Sequence, residues 1–259
     1  MTESLAYSMR LAGVRTKQIA IAMSFVTSTL LISRLSNMFQ APLLGALVDM
    51  STLDYSGHAL TLLESQFRII ILAAFCGAFC GAFLTPTMVS LFQAAIFRFL
   101  QVGSIPKVLF YALRPRNIIK IIMSFRFPPL LSFRKISLSN LPKGFLIINV
   151  VVTSIYTIGV LCSLLAGAYL PEFRATAIQL SGIVNGIATV LFTLFVDPSG
   201  ARITDQAVHN KRDQEDVRSV VFFLQLGKMI GTLFIAQLLF KPLAKYIMEV
   251  TIIISNSMS

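Results

Sequence analysis

The chain has 259 residues, 56% hydrophobic and 13% charged, and its 22 Lys and Arg against 11 Asp and Glu give a net charge of +11. A soluble domain carries about 25% charged residues, and half that complement cannot cover a water-facing surface, so a soluble protein is excluded. The basic residues fall between apolar runs, where they set membrane orientation, so nucleic acid is not an expected partner. The composition predicts an all-α, polytopic membrane protein: one integral membrane domain over residues 1–259 with about six transmembrane helices.

A spanning helix needs about 20 mostly apolar residues. Residues 1–13 hold only a short apolar piece, Leu5 to Gly13, interrupted by Arg10. At about 1.5 Å per residue such a piece cannot cross a core of about 30 Å. It is expected either to re-enter the membrane or to be the remainder of a longer first helix beginning before Met1. Residues 18–48 form a long run with Arg34 near its middle. Residues 69–97 form a second, with a bend expected at Pro86. A loop at 98–143 follows. Residues 144–170 and 173–196 read as a hairpin joined at Leu170-Pro171-Glu172, and 219–240 is the last span. In the tail, 241–259, the run from Val250 to Ile254 is too brief to cross.

Orientation follows from Lys and Arg placement. Loop 98–143 carries Arg98, Lys107, Arg114, Arg116, Lys120, Arg126, Arg134, Lys135 and Lys143 and no acid, which makes it cytoplasmic. Arg15, Lys17, Arg202, Lys211, Arg212 and Arg218 then share its side. The 49–67 loop, with Asp49, Asp54 and Glu64, is external, as are both termini; Lys241 and Lys245 run against that. The basic loop mixes Phe, Leu and Ile with its charges. That suits an amphipathic helix in the inner interface as well as a plain topology signal beside anionic membrane lipids.

Charge inside the spans is costly. Arg34 and Lys228 lie near the middles of their spans with no acid at equal depth. Two such cations point to a water-filled cavity that admits an anion. Gln179, Gly182, Gly186, Thr189 and Thr193 alternate at three and four residues and share a helix face, continued by Asp197. Gln225, Lys228 and Thr232 do the same, as do Arg34, Asn37 and Ala41. Hydrogen bonding between helices is the plain alternative use of these stripes. Small-residue pairs, Gly182 with Gly186, Gly227 with Gly231, and the set Ala73, Gly77 and Gly81, permit close packing within the chain or at a homodimer seam.

Catalytic signatures are absent. Cys76, Cys80 and Cys162 read as small packing residues, and two histidines, His58 and His209, make no metal site. No phosphate-cradling Gly-rich loop occurs, so ATP is not expected. Ser56-Gly57-His58 and the Lys107 to Arg114-Pro115 spacing echo type 2 phosphatidic acid phosphatases. Their order is reversed, however, the third block is missing, and they fall on opposite membrane sides.

Three stretches carry a resemblance. They are Leu5 to Thr16; Ser33-Arg34, Asn37-Met38 and Gln40-Ala41-Pro42-Leu43-Leu44-Gly45 to Val48-Asp49; and Asp197-Pro198 with Ala201 and Ile203-Thr204-Asp205. On these the chain resembles the Amj family of bacterial lipid II flippases. The resemblance implies about six spans in the bacterial cytoplasmic membrane, with a first helix beginning earlier than Met1. It also implies movement of the undecaprenyl-diphosphate-linked cell-wall precursor from the inner to the outer leaflet, with no catalytic residue and no cofactor. Arg34 and Lys228 are then expected to contact the diphosphate, with Arg10 as a further cation. Asn37, Gln40 and Gln179 are expected to contact the polar head. Asp49, Asp197 and Asp205 are candidates for gating or coupling. A flippase for another polyprenyl-phosphate or phospholipid shares the cationic cavity. A non-transporting scaffold for cell-wall synthesis would use the same polar stripes as packing contacts. A channel or solute carrier is disfavoured, because no filter-like or inverted repeat is evident.

Overall fold

A computed structural model describes residues 2–52, 58–126, 136–138 and 141–258, with side chains excepted at Thr2, Glu3, Arg34, Asn37, Thr52 and Met258. Ser56, Gly57 and Asp54 therefore lie outside the described residues. The architecture is helical throughout, without a strand among the described residues. Helices α1 (Thr2–Thr16), α2 (Ile19–Thr52), α3 (His58–Phe83) and α4 (Thr85–Val102) lead to two short ones, α5 (Ile105–Ala112) and α6 (Pro115–Met123). Next come α7 (Lys143–Tyr169) and a 3-10 turn at Pro171–Phe173. Helix α8 (Arg174–Leu191) runs through a π turn at Phe192–Val196 into α9 (Asp197–Val208). Helix α10 (Gln214–Ile230) runs through a second π turn at Gly231–Ile235 into α11 (Ala236–Met258). Five stretches are long and apolar enough to cross a membrane: Ile19–Ser51, His58–Phe83, Lys143–Tyr169, Pro171–Val208 and Gln214–Ser257.

Two spans differ from the sequence expectation. The run expected over 69–97 is instead α3 and α4, divided at Leu84, two residues ahead of Pro86. Helix α3 reaches back to His58, and α2 forward to Thr52, which shortens the expected 49–67 loop. Hydropathy misses residues 58–68 because Glu64, Gln66 and Arg68 dilute it. Two of these polar groups are matched within the fold. Arg68 Nε bonds Glu64 Oε1 at 3.1 Å, Lys241 Nζ reaches Glu64 Oε2 at 3.0 Å, and Arg68 Nη1 donates to Gln237 Oε1 at 3.1 Å. Gln237 Nε2 donates back to the Arg68 carbonyl at 3.1 Å. The same clamp explains the tail. Lys241 is neutralised by Glu64, so 241–258 continues as α11, burying Ala244, Ile247 and Thr251.

Contacts divide the chain into two compact units, residues 1–34, 77–143 and 198–226, and residues 35–76, 144–197 and 227–259. In the first unit, α1 is buried on every face, including Ala6, Met9, Arg10, Ala12 and Val14. Its 15 residues span about 22 Å, short of the hydrocarbon thickness. It turns sharply into α2. Lys17 takes a left-handed φ of 56°, Gln18 N–H bonds the Gly13 carbonyl at 3.0 Å, and Lys17 N–H bonds that of Val14 at 3.2 Å. These two bonds make a Schellman cap. A Cβ on Gly13 would stand 2.7 Å from Ala22 Cβ, so glycine is what lets the corner close. This unit carries seventeen of the 22 Lys and Arg but five of the 11 acids.

Within that unit α4 ends at Gly103, whose φ of 68° suits only glycine without strain. Tyr111 is then held between Arg98, 4.3 Å from its ring centroid, and Arg114, at 5.5 Å. Helix α6 buries nothing: Ile119, Ile122 and Met123 lie exposed on one side and Arg116 and Lys120 on the other.

In the second unit α7 is the central element. Ile158, Leu161, Cys162, Leu165 and Ala166 are buried in one core with Leu44 and Val48 of α2, Phe67 and Ile71 of α3, Ala177 and Leu180 of α8, and Phe240 and Ile247 of α11. Phe67 and Phe240 meet edge to face at 6.3 Å. Gly227 and Gly231 let this helix approach closely. A Cβ on Gly227 would meet Asn149 Nδ2 at 2.9 Å, and one on Gly231 would meet Ser154 Oγ at 2.6 Å and the Val150 carbonyl at 2.8 Å. Gly182 and Gly186 have nothing within 4 Å of such an atom. Gly231→Ala should therefore cost about 1–3 kcal/mol by overpacking. Gly182→Ala should be neutral or stabilising, since alanine is the better helix residue. Thermal unfolding of the purified protein in detergent separates the two, at about 2–4 °C per kcal/mol for this size.

Candidate functional site

The open faces of α2 and α8 make the site. The two helices share the core at Leu44, Val48, Ala177 and Leu180. There Arg174 Nη1 donates to Asp49 Oδ1, and Arg174 Nη2 lies 3.5 Å from the Val48 carbonyl. Moving along α2 away from this contact, Met38, Phe39, Gln40, Ala41, Pro42 and Leu43 are all exposed, Met38 at 70% and Phe39 at 77%. Six consecutive residues exceed one turn of 3.6, so every side of the helix is open there. A helix packed flat against a bundle buries at least one side.

Helix α8 is open in a more discriminating way. At about 100° per residue, its exposed residues fall in two adjacent sectors. One holds Ile183, Ile187, Val190 and Leu194. The other holds Gln179, Gly182, Gly186, Thr189 and Thr193. The opposite face, with Ala177, Leu180 and Ala188, is buried. The first sector suits lipid. The second offers amide and hydroxyl groups with no side chain filling the space beside the two glycines. Thr189 donates its hydroxyl to the Asn185 carbonyl at 2.7 Å, which leaves the oxygen outward as an acceptor. The stripe read from the sequence is thus one open polar strip bordering an apolar one. The π turn at Phe192–Val196 ends the strip next to Asp197; such turns recur at functional sites.

Lys228 sits differently. It is 9% exposed on α10 and follows Gly227, which faces a polar seam of α7 in which Asn149 and Ser154 are fully buried and Thr153 nearly so. Thr153, Ser154 and Thr157 each donate to the carbonyl four residues earlier, at 2.7, 2.6 and 2.7 Å. Their oxygens keep acceptor capacity inside the seam. The sequence reading passed over Asn149, Thr153 and Ser154. The four-residue spacing of Asn149, Thr153 and Thr157 was visible, but no charge marked it.

The remaining candidates are placed as follows. Gln40 and Gln179 are exposed on the open faces of α2 and α8. Arg34 and Asn37 lie on α2, one turn and less before its open stretch; their side chains are outside the described residues. Asp49 is in the ion pair with Arg174, and Asp197 is half-buried at the start of α9. Asp205 lies 3.4 Å from His209 on the exposed end of α9. Arg10 is 6% exposed, and its guanidinium rests on Gly200, where a Cβ would stand 2.1 Å from Nη1. No group of three or more metal-ligating residues occurs among the described residues.

Residues 1–251 match a protein family described as "Amj: Alternate to MurJ". The chain belongs to the Amj family. A relative, the lipid II flippase Amj of Bacillus subtilis strain 168, is 36% identical over 250 residues, covering 96% of this chain and 91% of its own length. No solved structure matches the chain. Family membership fits the helical, multi-pass membrane architecture, and it carries a transporter rather than an enzyme. In this Amj-family fold the Arg10 guanidinium and Gly200 are one unit of packing. Gly200→Ala should displace Arg10 and lower the unfolding midpoint by several degrees, whereas Gly186→Ala, facing open space, should not; paired thermal melts check this.

Proposed function

We propose that the chain is a flippase carrying lipid II, the undecaprenyl-diphosphate-linked cell-wall precursor, from the inner to the outer leaflet of the bacterial cytoplasmic membrane. The observation that carries this reading is the pair of adjacent open sectors on α8, one polar and one apolar. Its support from kinship is the name of the relative, a lipid II flippase. A polar sugar-peptide head cannot cross about 30 Å of hydrocarbon unaided. A strip of Gln179, Gly182, Gly186, Thr189 and Thr193 gives it hydrogen-bonding partners and room. The neighbouring strip of Ile183, Ile187, Val190 and Leu194 leaves the prenyl tail in lipid. Gln40 and Asn37 extend the polar path on α2.

The diphosphate needs cations. Arg34 and Lys228 supply them in this reading, Arg34 by bidentate bonding and Lys228 once its buried seam opens. Asp49 with Arg174 ties α2 to α8 beside the strip and acts as a latch. Asp197, at the π turn, and Asp205 are coupling groups. Arg10 is a positioning residue through Gly200. The exposed apolar side of α5 and α6 lies in the inner interface, with Lys107, Arg116 and Lys120 on anionic lipid.

The open glycines favour one competing use of the same strip, a homodimer seam through Gly182 and Gly186. The two uses separate experimentally. In cells that depend on this chain alone, lipid II at the outer surface is read by cleavage with an enzyme acting only outside the membrane. Gly186→Leu, which fills the strip, should abolish cleavage at unchanged protein level, and Lys228→Ala should reduce it at least tenfold. Cysteine cross-linking at position 182 between two copies, with cleavage intact in Gly186→Leu, would assign the strip to a dimer instead. Unchanged cleavage in Lys228→Ala and Arg34→Ala would remove both cations from the diphosphate path.

A further inference from the structure

Asn185 interrupts the packing of α7 against α8. Near the middle of α7, the space beside Gly159 is filled by the Asn185 carboxamide. A Cβ on Gly159 would stand 2.3 Å from Asn185 Oδ1, 3.1 Å from its Cγ and 3.2 Å from Val184 Cγ1. All three residues belong to the second unit. The oxygen is the end of the amide that fits there, because the hydrogens on a glycine Cα are weak donors and an amide N–H would meet no acceptor. Oδ1 is thereby buried, yet it has no hydrogen bond. The side chain as a whole is half-buried. With Oδ1 wedged inward, Nδ2 points the opposite way, and among the described residues it has no partner either.

The opposite way is toward the open strip. At about 100° per residue, Asn185 lies about 40° around α8 from Thr189 and about 60° from Gly182, on the side away from the apolar sector. The buried Ala188 is about 60° further round. Asn185 is therefore the inner border of the polar sector. Thr189 offers that sector an acceptor, having given its proton to the Asn185 carbonyl. The two glycines offer no side chain. Gln179 is exposed, with no neighbour wedging its longer side chain. Asn185 adds a donor held in one place.

An amide left unbonded at both ends is costly inside a span, where no water stands by. For packing alone, an apolar side chain of the same size would serve better. The amide is favoured once an oxygen of a polar ligand reaches Nδ2. We infer that Asn185 contacts the transported head, donating from Nδ2 to an acceptor oxygen of its sugar-peptide portion, with Gly159 as the positioning residue. This rests on the flippase reading and deepens it: Asn185 distinguishes a sugar-peptide head from a bare diphosphate.

The test measures binding to the full chain in phosphatidylcholine nanodiscs with two probes. One is lipid II; the other is undecaprenyl diphosphate, which has the same tail and diphosphate but no sugar-peptide. Asn185→Leu, close in size and without polar atoms, should bind lipid II at least tenfold more weakly and undecaprenyl diphosphate less than threefold more weakly. Asn185→Ala, the smaller change, should show the same contrast. Without probe, Asn185→Leu should melt no lower than wild type, because no bond of the folded chain is lost. Gly159→Ala should weaken lipid II binding at least threefold in the wild-type chain and leave it unchanged in Asn185→Ala, the non-additivity expected when the glycine acts through the amide. Unchanged lipid II binding in both Asn185 variants, or equal losses for the two probes, overturns the contact. So does a lowered midpoint in Asn185→Leu, which would give the amide a structural role. Additive losses overturn the positioning role of Gly159. Wild type that binds lipid II but exposes none in cells would overturn the flippase reading and leave the contact standing, whereas wild type that binds neither probe overturns both.

Discussion

In hydrocarbon no water stands by to satisfy a polar group. Each polar atom in a span must find a partner inside the chain or face a place where water or a polar ligand enters. Most of the spans here obey the first rule. Serine and threonine hydroxyls on α2, α7 and α8 bond the carbonyls of the preceding turn, as Ser28, Thr157 and Thr189 do. Gln225 is shared between Ser4 and Thr85, and Gln237 exchanges bonds with Arg68. Against that background the polar sector of α8 stands out, because its amide and glycines face open space. That sector, like the open stretch of α2 around Gln40, is an exposed face on a scaffold whose other polar groups are largely bonded within the chain.

Glycine placement separates the two kinds of surface. Gly200, Gly227 and Gly231 occupy positions where a single methyl group would strike a guanidinium, an amide or a carbonyl. Gly182 and Gly186 occupy positions where it would strike nothing. The three crowded glycines let helices come together around buried polar groups. The two open ones keep a face smooth. The spacing rule that pairs small residues four apart cannot tell these uses apart, since both pairs read identically in sequence. What separates them is the partner helix: α7 brings Asn149 and Ser154 to Gly227 and Gly231.

The long apolar helices were legible because about 20 apolar residues have few other folded uses. The expected 144–170 and the observed Lys143–Tyr169 agree within a residue. The start of α3 and all of α11 beyond residue 240 were not legible. Their charges cancel only in three dimensions, through Glu64, Arg68, Lys241 and Gln237. The polar face of α8 was readable from angular spacing, but not its openness, which depends on what α2 and α7 leave uncovered. Lys228, read from the sequence as a mid-span cation, is 9% exposed on α10.

Charge distribution bears on direction. The first unit carries seventeen basic residues against five acids, and the second carries five against six. Such a field concentrates anionic lipid heads where the basic loops lie. It also retains them there, so a head that moves on must leave favourable charge behind. The membrane potential acts the other way. Two negative charges driven outward by an inside-negative potential gain about 2.3 kcal/mol each per 100 mV, roughly a two-thousandfold bias at 25 °C. In the proposed reading, a few cations positioned early on the path would therefore capture the diphosphate without trapping it. More cations of equal depth along the α8 strip would deepen the well and slow release. The strip instead presents neutral amide, hydroxyl and glycine groups, which in the proposed reading suits a path along which an anion must keep moving.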